Sequence, residues 1–469
     1  MFGLRQEEKA LNRRYRIIFI LGGAALKVKL KKTIVVEFRP DEKTEMLLRE
    51  WAENCAALWN MINYKRRQQF FREGKVDLGE DGLLYELFKP LVGSATAQQI
   101  MRKNSEAWKS FFALKKKEAK GKLPSEVKLV SPPGYWKDRL TGRRRLIIVV
   151  RRDLYTFSQS GKIRIKAAPK RLKDKYGIRG PLVIRWVGEP RWWGRFGRME
   201  IIYDWVSKRW YAHISVEVEV DIGSPPHQPN DFASIDLGVK ILAAVFYGPT
   251  GEFEIYRGGR ILAEWFYWRR RIAEYQSKLN KSGARNSRML RRLYRKMWRR
   301  INHALRAMVR RIVENAYRLG IRIIYVGYPK HIRLSASKGR KTNGMVHNFW
   351  SYKKIIRWFE ETATEYGIEV VATRENGTSQ RCPACGHRSP KNRPFRGLFV
   401  CQNCGFVGHA DCVAALNIAV RKRAIRVSPA FWRDSPNGPM ARPRPLHWDL
   451  SQWMMAEPPR RGILGFPAL

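Results

Sequence analysis

The run TSQRCPACGHRSPKNRPFRGLFVCQNCGFVGHADCVAALNI, residues 378–418, decides how the rest of the chain is read. Cys382 and Cys385 form one CxxC turn and Cys401 and Cys404 a second, with fifteen residues between them. Each turn aims two thiolates at one centre. The stretch between, with Gly397 ahead of the apolar Leu398-Phe399-Val400, is long enough to run out and return as a hairpin. This spacing predicts a zinc ribbon, with Zn2+ in a structural role. Asp411 follows closely. Cys55, on an apolar helical face, and Cys412, without a CxxC partner, are expected as small core residues, and a chain of 469 residues needs no disulfide framework.

Around this run the composition is strongly basic. Lys and Arg number 92 against 41 Asp and Glu, a formal charge of +51. Such a surplus repels itself in a compact state unless a polyanion is present, so nucleic acid is the expected partner. The basic residues recur along the chain rather than filling one tail: Lys65-Arg66-Arg67, Arg269-Arg270-Arg271, Arg299-Arg300 and Arg310-Arg311. That favours an extended binding surface, with Lys65, Arg66, Arg269, Arg270, Arg271, Arg299 and Arg300 as nucleic-acid-binding candidates. The 17 Trp are expected mainly in cores. No apolar stretch is long enough to span a membrane. Arg13-Arg14-Tyr15-Arg16 ahead of the apolar run Ile17 to Leu26 imitates a secretory signal, yet a chain of this charge fits a reducing compartment that contains nucleic acid.

Moving outward along the chain, Val28 to Phe38 reads as a strand. Pro40-Asp41 then announces a helix with Met46, Leu47, Trp51, Cys55, Leu58, Trp59 and Ile62 at helical intervals, the start of a helical lobe ending near Pro124. Strands follow at Leu146 to Val150, Lys162 to Lys166, Leu182 to Val187, Met199 to Trp205 and Arg209 to Val220, which suggests a β-barrel interrupted by the helical insertion. Asp221 to Asn230 reads as a linker. Beyond it Phe232 to Val239 is a buried strand with an acidic turn, Leu242 to Tyr247 its neighbour, and two long arginine-dense helices form a hairpin. The strand Ile321 to Val326, a helix over 348–366, the strand Ile368 to Thr373, the ribbon and a helix from Asp411 alternate as an α/β core. The tail after Ser428 lacks periodicity.

Metal-assisted phosphodiester hydrolysis needs acids converging from different elements, because hard cations on phosphate take oxygen ligands. Three acids have suitable places: Asp236 at the end of the first core strand, Glu375 just past the strand Ile368 to Thr373, and Asp411 at the start of the last helix. A turn acid at Asp236 and an N-cap at Asp411 are the plain alternatives.

Ile235-Asp236-Leu237-Gly238, Thr378 to Gly386, Cys401 to Gly405 and His409 to Ile418 together resemble the RuvC-like nuclease and zinc ribbon of the transposon-encoded TnpB (OrfB) proteins, whose architecture the compact type V CRISPR effectors share. The resemblance covers about Phe232 to Val420; upstream, only element order is similar to the family's wedge and recognition domains. It implies an RNA-guided, magnesium-dependent DNA endonuclease with a single RuvC site and two Mg2+ ions. Guide RNA and target double-stranded DNA would be its partners, with a short motif beside the target read by the N-terminal half.

One departure stands out. The family's second catalytic acid is a Glu at the end of the strand that here reads Ile324-Tyr325-Val326-Gly327-Tyr328-Pro329-Lys330. Adjacent strands lie about 4.8 Å apart, so Glu375, ending the following strand, can lean over Gly327 and substitute.

The expected fold is therefore multi-domain α+β. It comprises an N-terminal extension (1–26), a β-barrel wedge domain (27–40 and 125–222), a helical recognition lobe (41–124), an RNase H-like (RuvC) α/β nuclease domain (231–377 and 409–425), an inserted zinc ribbon (378–408) and an irregular tail (426–469). A cytoplasmic, nucleoid-associated prokaryotic protein is expected, one or two copies per guide RNA and no membrane partner. Two other readings stay open: a nuclease-inactive guided repressor and a guide-free, transposase-associated DNA-binding protein.

Overall fold

The computed structural model describes residues 26–123, 129–138, 142–222, 231–328, 352–375, 377–395, 397–422 and 443–455, with a few isolated positions between them. The expected N-terminal extension, the Gly- and Lys-rich loop after Tyr328 and most of the expected linker lie outside the described residues. Two compact units divide the chain, one over Lys29–Glu219 and one over Val220–Leu469.

The first unit opens with strand β1 (Leu26–Arg39). Asp41 then caps helix α1 (Glu42–Glu73), its carboxylate accepting from the Thr44 amide at 2.8 Å. Helices α2 (Gly82–Val92) and α3 (Ser94–Ala119) pack against it. Trp51 and Trp108 are fully buried, the Trp51 indole N–H donating to the Val92 carbonyl at 2.9 Å, and Trp59 stacks on Trp136 at 4.6 Å. Strands β2 (Ile147–Val150), β3 (Tyr155–Phe157) and β4 (Lys162–Ile165) precede the short helix α4 (Lys170–Lys175). Strands β5 (Leu182–Val187), β6 (Arg195–Asp204) and β7 (Arg209–Ile222) follow it.

The seven strands form one sheet in the order β2-β6-β7-β1-β5-β4-β3. Its two ends, β2 and β3, are consecutive in sequence and joined only by residues 151–154. A connection that short reaches roughly 18 Å, so the sheet must roll until its edges approach. The Tyr155 hydroxyl donates across the gap to the Gly197 carbonyl at 2.7 Å. The barrel expected from sequence is thus nearly closed, its seam bridged by a side chain.

In the second unit β8 (Phe232–Leu237), β9 (Ile241–Tyr247) and β10 (Glu252–Arg257) form an antiparallel meander. Helices α5 (Gly259–Lys281) and α6 (Arg288–Arg318) make the expected hairpin. Strand β11 (Ile323–Tyr328) then pairs parallel to β8, and after helix α7 (Tyr352–Ala363) strand β12 (Glu369–Arg374) pairs parallel to β11 with Gly327 opposite Thr373. The hairpin β13 (Leu398–Val400) and β14 (Val407–His409) leads into helix α8 (Ala410–Arg421). Side chains alternate along each strand. Ala233, Ile235 and Leu237 enter the core beneath α5, α6 and α7, whereas Phe232, Ala244 and Phe246 pack with Val413 and Leu416 of α8.

The tail is not irregular throughout. Strands β15 (Arg444–Trp448) and β16 (Trp453–Met455) extend the sheet to the order β12-β11-β8-β9-β10-β15-β16, with β15 parallel to β10. Leu446, Trp448 and Trp453 are buried in the α5/α6 core. The prolines at 443 and 445 mask a strand this short, and Pro445 is tolerated where few ladder donors are needed. Gly327 lies inside β11 rather than beyond it, because pairing with β12 continues to Tyr328 and Arg374.

Candidate functional site

Strand alternation turns Asp236 toward α8, on the side where the Ser234 hydroxyl donates to the Ala415 carbonyl at 2.7 Å. Gly238 follows in the β8–β9 turn, where a Cβ would stand 2.6 Å from the Ile241 carbonyl oxygen. Only glycine fits so close a backbone approach.

Glu375 leaves the end of β12 and leans back over β11. Its Oε2 lies 2.8 Å from where a Cβ on Gly327 would be; Ile418 Cδ1 lies 2.7 Å from the same point. The glycine makes room for the carboxylate. The Thr378 amide and hydroxyl donate to the Glu375 carbonyl at 3.1 and 2.8 Å. Asn417 of α8 in turn donates to the Thr378 and Arg381 carbonyls at 2.7 and 2.8 Å. The turn carrying Glu375 is thereby fixed to the helix carrying Asp411.

The Glu375 and Asp236 carboxyl groups are within hydrogen-bonding contact, and both are held above the ordinary carboxylate range. Burial is the larger cause for each; mutual repulsion adds to Glu375 and repulsion from Asp411 to Asp236. Glu375 Oε2 is buried without a hydrogen-bond donor among the described residues. An orphaned carboxylate oxygen beside a second carboxylate is what a cation site leaves when only protein groups are counted.

Asp411 sits in the first turn of α8, but it is not the N-cap: His409 takes that position, its Nδ1 accepting from the Asp411 amide at 3.3 Å. The Asp411 carboxylate is therefore left for other partners. Arg393 Nη2 approaches it at 4.0 Å and also lowers the charge penalty on Asp236. Sequence reasoning missed Arg393, one of many arginines in this chain. What singles it out is the neighbouring Asn392, fully buried, which donates to the Gln380 carbonyl at 2.9 Å and accepts from the Gln402 amide at 3.0 Å. The three carboxylates do not converge as tightly as the four thiols described next, whose ligand atoms all lie within 4.8 Å of one another.

Those thiols belong to Cys382, Cys385, Cys401 and Cys404. The Cys382–Cys404 and Cys385–Cys401 sulfur separations are 3.6 and 3.5 Å. Zn–S bonds of about 2.3 Å in a tetrahedron put sulfurs about 3.8 Å apart, so the cluster fits zinc and is far too open for disulfides. In each CxxC turn the glycine after the second cysteine, Gly386 and Gly405, has φ +76° and +70°, a conformation that favours glycine. Cys55 and Cys412 are buried core residues, as expected.

The basic candidates divide. In the first unit Arg66 is only 4% exposed, and its guanidinium donates to Asn104 Oδ1 and the Gly79 carbonyl, both at 2.8 Å. It is a structural residue of the helical lobe, and its assignment to nucleic-acid binding is corrected. Neighbouring Lys65 is exposed and pairs with Asp81 at 2.6 Å. In the second unit Arg269, Arg270, Arg271, Arg299 and Arg300 are all exposed along α5 and α6. Arg269 lies over Trp265, Arg271 bonds the Tyr267 hydroxyl at 3.0 Å, and Arg300 pairs with Glu264.

Residues 213–333 match the OrfB/IS605 family model, described as a probable transposase, and residues 352–418 match the Cas12f1-like TNB domain. The CRISPR-associated endodeoxyribonuclease Cas12f1 of Sulfoacidibacillus thermotolerans is 28% identical over 47% of this chain and 52% of its own. Among solved structures, that of a Cas12f1–sgRNA–target DNA complex is 18% identical, covering 84% of this chain and 100% of that one at a TM-score of 0.32. The TnpB-like protein ORF457 of Acidianus two-tailed virus is 36% identical across 85% of this chain and 87% of its own length. By that relative and the matching family models, the chain belongs to the TnpB-like (OrfB) family.

Proposed function

We propose that the protein is an RNA-guided DNA endonuclease with one RuvC-like site. In this reading Asp236, Glu375 and Asp411 hold two Mg2+ ions, and the four cysteines hold one structural Zn2+. The observation that carries the reading is the placement of Glu375, whose orphaned buried oxygen fills the space over Gly327 and whose carboxyl group contacts Asp236. An inert surface glutamate has no reason to lose hydration there.

Asp236, which touches Glu375 and feels the charge of Asp411, would be the residue through which the three acids hold the ions together. Mg2+ bound there supplies charge neutralisation and a water of lowered pKa. Because burial holds both carboxyl groups above their usual range, binding cations there would displace protons from them. Arg393, beside Asp411, is placed to balance charge on a phosphate drawn into the site. Guide RNA would lie along exposed basic surfaces, including Arg269, Arg270, Arg271 and Arg299, with the target chosen by base pairing and a short adjacent motif. Such a protein works where the nucleoid is; among the described residues no helix is long and apolar enough to cross a membrane.

The test is to purify the full chain with its RNA, sequence that RNA and supply a matched double-stranded target with Mg2+. Cleavage is expected, and Asp236→Ala is expected to abolish it while leaving guided binding intact. Binding without cleavage by the unaltered protein would establish the inactive-repressor reading instead, and absence of a defined RNA the guide-free one.

A further inference from the structure

We propose a second ligand site, separate from the three acids, where the C-terminal hairpin meets α5 and α6: a cavity of about 300 Å³ that receives one unpaired nucleotide of a bound strand. Glu264 of α5, Arg299, Arg300 and His303 of α6, and Trp448 and Leu450 of the hairpin line it. It lies on the sheet face covered by α5 and α6, whereas Asp236 faces α8. Strands β15 and β16 fall outside both matched segments, 213–333 and 352–418.

Charge selects the kind of ligand. Glu264 is committed, because Trp268 Nε1 donates to its Oε1 at 3.3 Å and Arg300 pairs with the same oxygen. Exposed Arg299 has no acidic partner among the described residues. Two guanidinium groups against one carboxylate leave the lining with a surplus positive charge, suited to a phosphodiester rather than a cation.

Shape selects a base beside that phosphate. His303 is exposed, and its ring meets Trp448 edge-on at 5.5 Å, which fixes a planar group at the wall. Leu450 also lines the cavity, 62% exposed and at φ +91° in the turn Asp449–Gln452. Asp449 Oδ1 pins that turn, accepting from the Ser451 and Gln452 amides at 2.8 and 2.7 Å and from the Ser451 hydroxyl at 2.9 Å. Glycine or asparagine would hold this φ with less strain. A leucine there keeps an apolar side chain at the cavity rim, where folding alone gives no reason for it. The hairpin is anchored to both helices, with Arg260 Nη1 donating to the Trp448 carbonyl at 3.3 Å and Trp453 Nε1 to the Ala304 carbonyl at 2.9 Å. The volume is at the small end of ligand pockets, room for one nucleotide rather than a stack.

That the strand is nucleic acid held during guided cleavage rests on the proposed function; the pocket itself is tested apart from it. The full-length protein is photo-crosslinked to single-stranded oligonucleotides carrying 4-thiouridine in RNA or 4-thiothymidine in DNA, and the modified peptides are identified by mass spectrometry. Crosslinks within residues 299–303 or 443–455 are expected, and whichever strand gives them identifies the source. Leu450→Gly is expected to weaken oligonucleotide binding about 10-fold with an unchanged or raised Tm, since glycine relieves the positive φ. Arg299→Ala is expected to weaken binding and reduce its salt slope by about one charge. Crosslinks confined to other peptides, wild-type binding by both variants, or a lowered Tm accompanying the loss in Leu450→Gly would each overturn the site. Failure to copurify a defined RNA overturns the guided reading alone, because the oligonucleotide arms need no guide.

Discussion

A side chain at position 327 and the present placement of Glu375 exclude one another: a Cβ there would stand 2.8 Å from Glu375 Oε2 and 2.7 Å from Ile418 Cδ1. Gly327→Ala should therefore destabilise the protein by about 1–3 kcal/mol, measured by denaturant unfolding. The acids themselves oppose folding when no cation is bound. Burial and repulsion push Asp236 up to about 7 and Glu375 up to about 9. Because the folded values are raised, their stabilising contribution is complete below the ordinary carboxylate range and is lost as pH rises through those values. The Tm of metal-free protein should fall between pH 6 and pH 9, and Glu375→Gln should flatten that fall; an unchanged pH profile in the variant would show that Glu375 is not held in this environment. The sequence placed Glu375 one strand over from Gly327, and the fold does bring its carboxylate into the space above that glycine; its part in metal binding is proposed. The burial of Arg66 was not legible, because nothing in Lys65-Arg66-Arg67 shows that the middle residue alone turns inward to Asn104.

At the scale of elements, the ribbon's hairpin feeds directly into α8, the Ala410 amide donating to the Gly397 carbonyl at 3.0 Å, so the thiol cluster and Asp411 share one support. Replacing Cys382 with Ser should lower zinc content from one ion per chain and speed amide exchange in the first turn of α8 while leaving α6 protected; unchanged exchange would separate the ribbon from the acid. Asn417→Ala removes both donors holding the Glu375 turn and should cost about 1–3 kcal/mol. The CxxC spacing made the four-thiol cluster readable because cysteines at such fixed intervals have few other uses. Strands β15 and β16 were hidden, since their periodicity spans too few residues and their prolines read as breakers, although Leu446, Trp448 and Trp453 are buried.

For the molecule as a whole, that hairpin makes the C-terminal segment part of the core. Ending the chain after Ile425 would bare the edge of β10 and remove one leucine and two tryptophans from the interior, a loss on the order of 5 kcal/mol or more. The truncated protein should be far less stable or aggregate; an unaltered Tm would contradict the packing of β15 and β16. The charge of +51 was legible at once as a call for a polyanion, but which arginines face it depends on burial that only the fold decides. The central claim, that a glutamate from the neighbouring strand stands in for the acid missing at Gly327, is tested most directly by Mn2+ binding to the full-length protein, followed calorimetrically for the unaltered chain and for Glu375→Gln. Binding with proton release near neutral pH, weakened at least about 10-fold in the variant, is the expected result. Equal Mn2+ affinity in the two proteins would contradict it.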